Sequence, residues 1–531
     1  MIRCTNFHFS LITGLIAGSI AAFTAAAFGQ EPVSLAPAKM PRVATIDERF
    51  QSYNIEMVEV TGGRFWAPYK HSDAAPVAAP DTKLSTPTGM DPSLYRYRAP
   101  IDLSNPKLRK LAAALSPAYV RVSGTWANST YFLDSDDPAP TTPPAGFGGV
   151  LTRQQWHGVV DFSHAVDAKI VTSFAISAGV RDANGVWTPI EAKKFLAYTK
   201  SVGGSIAAAE MFNEPSFASM GGAPKGYDAA AYGRDFHAFH SFVTEAAPDM
   251  KVLGPGSVGE SGALGGLPPF MLKSEDMLKE GGPGVDDFSY HFYGAVSTRC
   301  MQMGKAGQTT PEAALTDDWL SRTNRDEAFY ARVRDQFEPG KPMWLTETGE
   351  AACGGNAWAA DFIDSFRYLN QLGTLAKHGV QVVMHNTLAA SDYALIDEST
   401  LNPRPNYWSA VLWRRLMGAT VLDAGSSATP GLYLYAHCLR DHPGGVALLA
   451  INADRTALRE LSLPTNSSRF TLTANSLMDS AVLLNGTELK LSPDDDLPAI
   501  AGVKTLSGKV ALAPVSISFF AIPGANNSSC R

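Results

Sequence analysis

Eight short apolar segments, most of them separated by stretches of helical period, recur between residues 52 and 384, and that alternation limits the chain to few folds. They cover approximately 52–60, 118–122, 170–176, 206–212, 251–254, 287–292, 343–347 and 380–384. Helices read most clearly where caps agree with periodicity. Asn105-Pro106 opens one over 107–115, Thr188-Pro189 opens another that ends at Gly203-Gly204, and longer patterns cover 154–167, 229–247 and 358–378. Strands alternating with helices predict an α/β fold with a parallel sheet. A closed (β/α)8 TIM barrel is favoured over an open sheet chiefly because of two glutamates. Glu214, in Glu210-Met211-Phe212-Asn213-Glu214-Pro215, and Glu347, in Met343-Trp344-Leu345-Thr346-Glu347-Thr348, close the fourth and seventh segments. Strand ends are where such a barrel keeps its chemistry. A strand-end glutamate taken alone is more often a helix cap or a surface charge. Two on facing strands are the equipment of retaining glycoside hydrolysis, one as acid and base, the other as nucleophile.

Beyond about Pro405 the pattern changes to runs of five to eight residues between Gly, Asn, Asp and Pro turns, at 431–438, 445–452, 470–473 and 515–522. These predict an antiparallel β-sandwich over 405–531, to which residues 30–48 contribute, with the barrel over 49–404. With 531 residues, 45% of them hydrophobic, the chain can bury a large barrel and a further domain. Residues 1–29 carry one charge, Arg3, followed by an uncharged stretch with a small-residue end, and read as a cleaved secretory signal. The mature protein is therefore expected to be secreted or periplasmic, with no stable membrane insertion. Loss of Arg3 takes the formal net charge from -7 to -8. That balance, with no long basic run, argues against nucleic acid. No zinc-ligand spacing, P-loop or dinucleotide fingerprint is present, so no metal and no cofactor is expected. Removing Cys4 with the signal leaves Cys300, Cys353, Cys438 and Cys530, which allow three disulfide connectivities. Asn-X-Ser/Thr sequons stand at Asn128, Asn466, Asn485 and Asn527.

Several segments resemble the heparanase and β-glucuronidase glycoside hydrolases, family 79 of clan A. They are Leu108-Arg109-Lys110-Leu111 through Leu115-Ser116-Pro117-Ala118-Tyr119-Val120-Arg121-Val122-Ser123-Gly124-Thr125, the Asn213-Glu214-Pro215 box, Tyr290-His291-Phe292-Tyr293, Trp344-Leu345-Thr346-Glu347-Thr348, and Asp392-Tyr393-Ala394-Leu395-Ile396-Asp397 through Asn406-Tyr407-Trp408. The resemblance implies that Glu214 is the general acid/base and Glu347 the nucleophile. Arg121 and Tyr293 would hold the nucleophile, with Glu210 a structural partner for the arginine and His291 in support. Asn213 would bond the sugar 2-hydroxyl. It also implies that Gly354, Gly355 and Tyr393, with Thr125 nearby, recognise a uronic acid carboxylate. Glu56 matches a hydroxyl-binding acid, where Asp is the closer match. No role carries onto His385-Asn386, and Glu350, without a counterpart, reads as exposed.

The same resemblance pairs Cys438 with Cys530 in the sandwich. Cys300 and Cys353 follow the sixth and seventh strands, so a bridge there ties two loops. The implied activity is a retaining β-glucuronidase acting on a glucuronic acid-containing glycoside or glycan. The alternatives are an endo-acting, heparanase-like enzyme, a related barrel hydrolase acting on a neutral sugar, and a non-catalytic carbohydrate-binding relative. Some thirty residues beyond those of animal heparanase, about Tyr69 to Ala99, follow the first strand and favour exo action. The net charge of -8 counts against a sulfated chain.

Overall fold

The computed structural model describes residues 31–69, 90–262, 270–303, 308–425 and 429–531. The expected signal over 1–29 lies outside them, as does most of the expected insertion. The eight barrel strands are β1 (Gln51–Glu56), β2 (Ala118–Ser123), β3 (Ala168–Ser173), β4 (Ile206–Glu210), β5 (Lys251–Val258), β6 (Asp287–Tyr293), β7 (Met343–Gly349) and β8 (Val382–His385). All are parallel to their neighbours, and the barrel closes where Val383, Met384 and His385 pair with Gln51, Ser52 and Tyr53. Helices outside and packed side chains inside bury both faces of the strands, so they read as near-continuous apolar runs. Every residue of β2, β6 and β7 is buried.

The helices begin where their caps demand. Asn105 accepts from the amides of Lys107 and Leu108 at the start of Pro106–Ala113, and Thr152 and Gln155 form a capping box at Arg153–Ala165. Ile190–Ser201, Ala229–Ala246 and Asp364–Lys377 complete the set that periodicity outlines. Two departures from the sequence reading have a clear local cause. β1 stops at Glu56, because the Glu56 side chain accepts from the Glu59 amide while the Glu59 carboxylate accepts from the Glu56 amide, and this capping box starts the helix Met57–Thr61. Pro405–Leu416 is a helix with Pro at its first turn, not the start of the β-sandwich. It is buried on nearly all sides, which erases the amphipathic signal.

After that helix the chain forms a nine-stranded sheet, whose middle strands are Leu432–Leu439, Val446–Asn452, Ser516–Ile522 and Ser467–Thr473, facing a three-stranded sheet. Val33–Ser34 joins the smaller sheet and Arg42–Thr45 the larger. Alternation along Val446–Asn452 divides the core. Val446, Leu448 and Ala450 pack between the sheets, while Ala447, Leu449 and Ile451 join the barrel core. Gly373 lets the helix Asp364–Lys377 approach this sheet, since a Cβ there would lie 2.3 Å from the Tyr435 ring. Disulfides join Cys438 to Cys530 and Cys300 to Cys353. Among the described residues no helix is long and apolar enough to cross a membrane.

Candidate active site

At the C-terminal ends of the barrel strands lies a cavity lined by Glu56, Asn213, Glu214, Tyr293, Glu347 and Tyr393 among others. Arg121 on β2 is its hub. The guanidinium donates from Nη1 to Glu347 Oε2 at 2.9 Å, from Nη2 to Asn213 Oδ1 at 2.8 Å, and from Nη2 and Nε to Glu210 Oε2 at 2.7 and 3.2 Å. Glu347 receives a second bond on Oε1 from the Tyr293 hydroxyl at 2.7 Å. Glu210 also accepts from Ser289 and Thr346, at 2.8 and 2.7 Å. Burial pushes its carboxyl up, but Arg121, His291 and Thr346 outweigh this and hold it below the usual carboxylate range.

Glu214 follows β4 in a left-handed backbone conformation, φ 48° and ψ 63°. Its side chain is 19% exposed, toward the cavity, and Oε1 lies 3.2 Å from His291 Nδ1. Burial pushes the Glu214 carboxyl above its usual range and the negative Glu347 adds to this, while the His291 bond opposes it. Burial disfavours a charged His291, yet Glu347 and bonds to Glu210 and Glu214 raise the ring to about 9. Ligand atoms of Glu214, His291 and Glu347 all lie within 4.8 Å of one another. Such spacing can hold a cation, but the Arg121 guanidinium, bonded to one of those carboxylates, opposes one.

Glu56 ends β1 beside this group. Its Oε1 accepts from Asn386 Nδ2 at 3.0 Å, and burial and Glu347 push its carboxyl well up. Gly124, at φ 93°, makes room for it, since a Cβ there would sit 1.5 Å from Glu56 Oε2. Asn386, at the end of β8, also donates to the hydroxyls of Tyr293 and Tyr393, at 3.1 and 3.2 Å. It is a site residue to which the sequence reading gave no role. Its position after the eighth strand was the available signal. Thr125 also lines the cavity.

The loop after β7 carries both the glycine pair and Glu350. The glycine pair is not among the residues lining the cavity. Gly354 packs against Trp66 and accepts from Ser391 Oγ at 2.8 Å, and the Gly355 amide donates to the Ala351 carbonyl at 3.1 Å. Positive φ, 79° and 82°, and close contact with the side chains of Trp66, Ser391, Ala359 and Tyr393 require glycine at both positions; Cys353 is the neighbour that reaches the cavity. Glu350 is wholly buried, not exposed. Its oxygens accept from the Asn356 amide at 2.8 Å and from Asn356 Nδ2 at 2.9 Å, and Asn356 Oδ1 accepts from the Thr298 amide at 2.9 Å. Together with the Cys300–Cys353 bridge this network joins the loops after β6 and β7. Burial and the negative Asp364 raise the Glu350 carboxyl to about 7.

A family model described as "Glycosyl hydrolase family 79, N-terminal domain" matches residues 99–373. The chain belongs to that family. As a family 79 member it is a glycoside hydrolase. It is 27% identical over 488 residues to "Heparanase-like protein 1" of Arabidopsis thaliana, covering 81% of this chain and 86% of the relative. It is 35% identical over 316 residues to "Baicalin-beta-D-glucuronidase" of Scutellaria baicalensis, covering 55% of each. The fold is shared with a 4-O-alpha-L-rhamnosyl-beta-D-glucuronidase from Fusarium oxysporum 12S, at a TM-score of 0.62 and 13% identity, over 92% of this chain and 100% of the other.

Proposed function

We propose that this family 79 enzyme is a secreted, retaining β-glucuronidase that removes terminal β-linked glucuronic acid from glycosides or glycans. One observation carries the reading: an oxygen of the Glu214 carboxyl and one of the Glu347 carboxyl lie within 4.8 Å of each other. Double displacement uses carboxyl groups about 5 to 5.5 Å apart, whereas inversion needs room for a water between them. Glu347 acts as nucleophile, held by Arg121 and Tyr293 so that one oxygen faces the anomeric carbon. Glu214 carries the proton delivered to the leaving oxygen. Once Glu347 is consumed in the glycosyl bond, its negative charge no longer raises the Glu214 carboxyl. Glu214 then gives up its proton more readily and can act as base on the incoming water.

Asn213, anchored by Arg121, serves the 2-hydroxyl. Glu56 Oε2 and Asn386 Oδ1 are buried and without a hydrogen-bond partner among the described residues, and both residues line the cavity. Both atoms can bond further sugar hydroxyls, Asn386 Oδ1 as an acceptor, with the Tyr393 hydroxyl beside them. Exo action is supported by the hairpin of Gly63–Trp66 and Tyr95–Arg98, which follows β1. It stacks Trp66 on Tyr95 at 4.6 Å, with Trp126 at 6.2 Å from Tyr95, and all three line the cavity. No Lys or Arg stands among the described lining residues to meet a sulfated chain. Secretion is supported by the two disulfides and the uncharged N-terminal stretch.

The heparanase-like relative favours a second reading, endo action on a polymer. Incubation with 4-nitrophenyl β-D-glucuronide and, separately, heparan sulfate distinguishes the two. The proposal expects nitrophenol from the first and no internal fragments from the second. Oligosaccharides from heparan sulfate with the small glucuronide intact would overturn it.

A further inference from the structure

We infer that Asn128 is the positioning residue for the acid/base Glu214, acting through the backbone of Asn213. The inference rests on the role proposed above for Glu214. Asn128 lies in the 3-10 turn Thr125–Ser129 after β2 and is wholly buried. Its Oδ1 accepts from the Asn213 amide at 2.8 Å and its Nδ2 donates to the Asn213 carbonyl at 2.9 Å. One carboxamide thus satisfies both backbone groups of one residue, with a donor and an acceptor on separate atoms held side by side; Gln carries the same group but is a methylene longer.

The carbonyl gripped by Nδ2 belongs to the peptide joining Asn213 to Glu214. Glu214 itself is held at φ 48° and ψ 63°, a region costly for any residue with a Cβ and kept only when the surroundings over-determine it. Asn128 is in turn fixed, since its carbonyl accepts from the amides of Ile176 and Ser177 at 2.8 and 3.1 Å. On the other side the loop after Glu214 closes over it, and a Cβ on Gly221 would lie 2.9 Å from Nδ2. Asn213 is therefore gripped twice, at its backbone by Asn128 and at its side chain by Arg121. With both grips in place, the direction in which Glu214 leaves the chain is set. The sequon at Asn128 is thereby closed to glycosylation in the folded protein, because the side-chain nitrogen is buried and bonded.

The test compares kcat/KM for 2,4-dinitrophenyl and phenyl β-D-glucuronides in the full-length enzyme and in Asn128→Ala, Asn128→Asp and Glu214→Gln. The dinitrophenyl group departs almost unaided, whereas phenol needs a well-aimed proton. The ratio of the two values within one preparation is independent of how much protein is folded. A positioning role predicts a loss on the phenyl substrate on the order of 10²-fold for Asn128→Ala, the scale of a small misplacement, and less than about tenfold on the dinitrophenyl substrate. Asn128→Asp, which keeps the acceptor for the Asn213 amide but sets an oxygen against its carbonyl, should discriminate in the same direction. Equal losses on both substrates, or none, while Glu214→Gln discriminates, would overturn the role of Asn128. Failure of Glu214→Gln to discriminate would remove the acid/base assignment and the positioning role with it.

Discussion

Arg121 and Glu347 form a buried ion pair, Nη1 to Oε2 at 2.9 Å, and the same guanidinium is shared with Glu210. One cation on β2 thus sits between carboxylates on β4 and β7. Removing it strands two buried negative charges, whose cost exceeds the net worth of the pair itself. Arg121→Met is expected to destabilise the fold by about 3 to 5 kcal/mol, read as a lowered midpoint in denaturant with an unchanged slope. An unaltered midpoint would contradict the arrangement.

Glu347→Gln keeps the shape of the nucleophile but removes its charge. Turnover of an activated β-glucuronide should fall about 10⁴-fold, roughly 5 kcal/mol of barrier, with folding intact by circular dichroism. Near-normal turnover would dismiss Glu347 as nucleophile.

The pH profile should report the balance around Glu214. Burial and Glu347 raise its carboxyl, while His291, 3.2 Å away, lowers it. Activity requires the protonated form, so the basic limb of kcat/KM follows this group. Replacing His291 by Phe removes the lowering influence, and the basic limb should move to higher pH as the rate falls. A limb that moves to lower pH or stays fixed would separate His291 from Glu214.

The eight strands were legible because burial on both faces leaves apolar runs, and Glu214 and Glu347 stood out because a short motif surrounds each. Asn386, Asn128 and Glu350 were not legible as site residues. Asn386 and Asn128 act through amides whose partners lie up to 330 residues away, as from Asn386 to Glu56, and such pairings leave no local periodicity. Glu350 looked exposed because a carboxylate usually is, and nothing in Gly349-Glu350-Ala351 signals that Asn356 folds back onto it. The helix Pro405–Leu416 was missed because burial on nearly every side removes the alternation by which helices are read.

Buried acids should also make stability depend on pH. Asp326 is buried, and its carboxyl is raised from the ordinary 3.8 to about 7, by burial first and by Glu260 and Glu327 next, against the bond from Ser261. The stabilising effect of its proton is complete below the unfolded value and is lost as pH rises through about 7. Glu59 and Glu350, at about 7, and Glu260, at about 6, have the same sign. Thermal midpoints should therefore fall between pH 5 and 8. Asp326→Asn should flatten that fall and be the more stable form at pH 8, by up to roughly 4 kcal/mol. A variant less stable than the parent at pH 8 would contradict this.

The central claim is that Glu214 and Glu347 act in double displacement on a β-linked glucuronide. Proton NMR of the reaction in its first minutes, before mutarotation, tests it most directly. Retention predicts that the first-formed glucuronic acid is the β-anomer, with the α signal growing in later. Initial appearance of the α-anomer would contradict the claim.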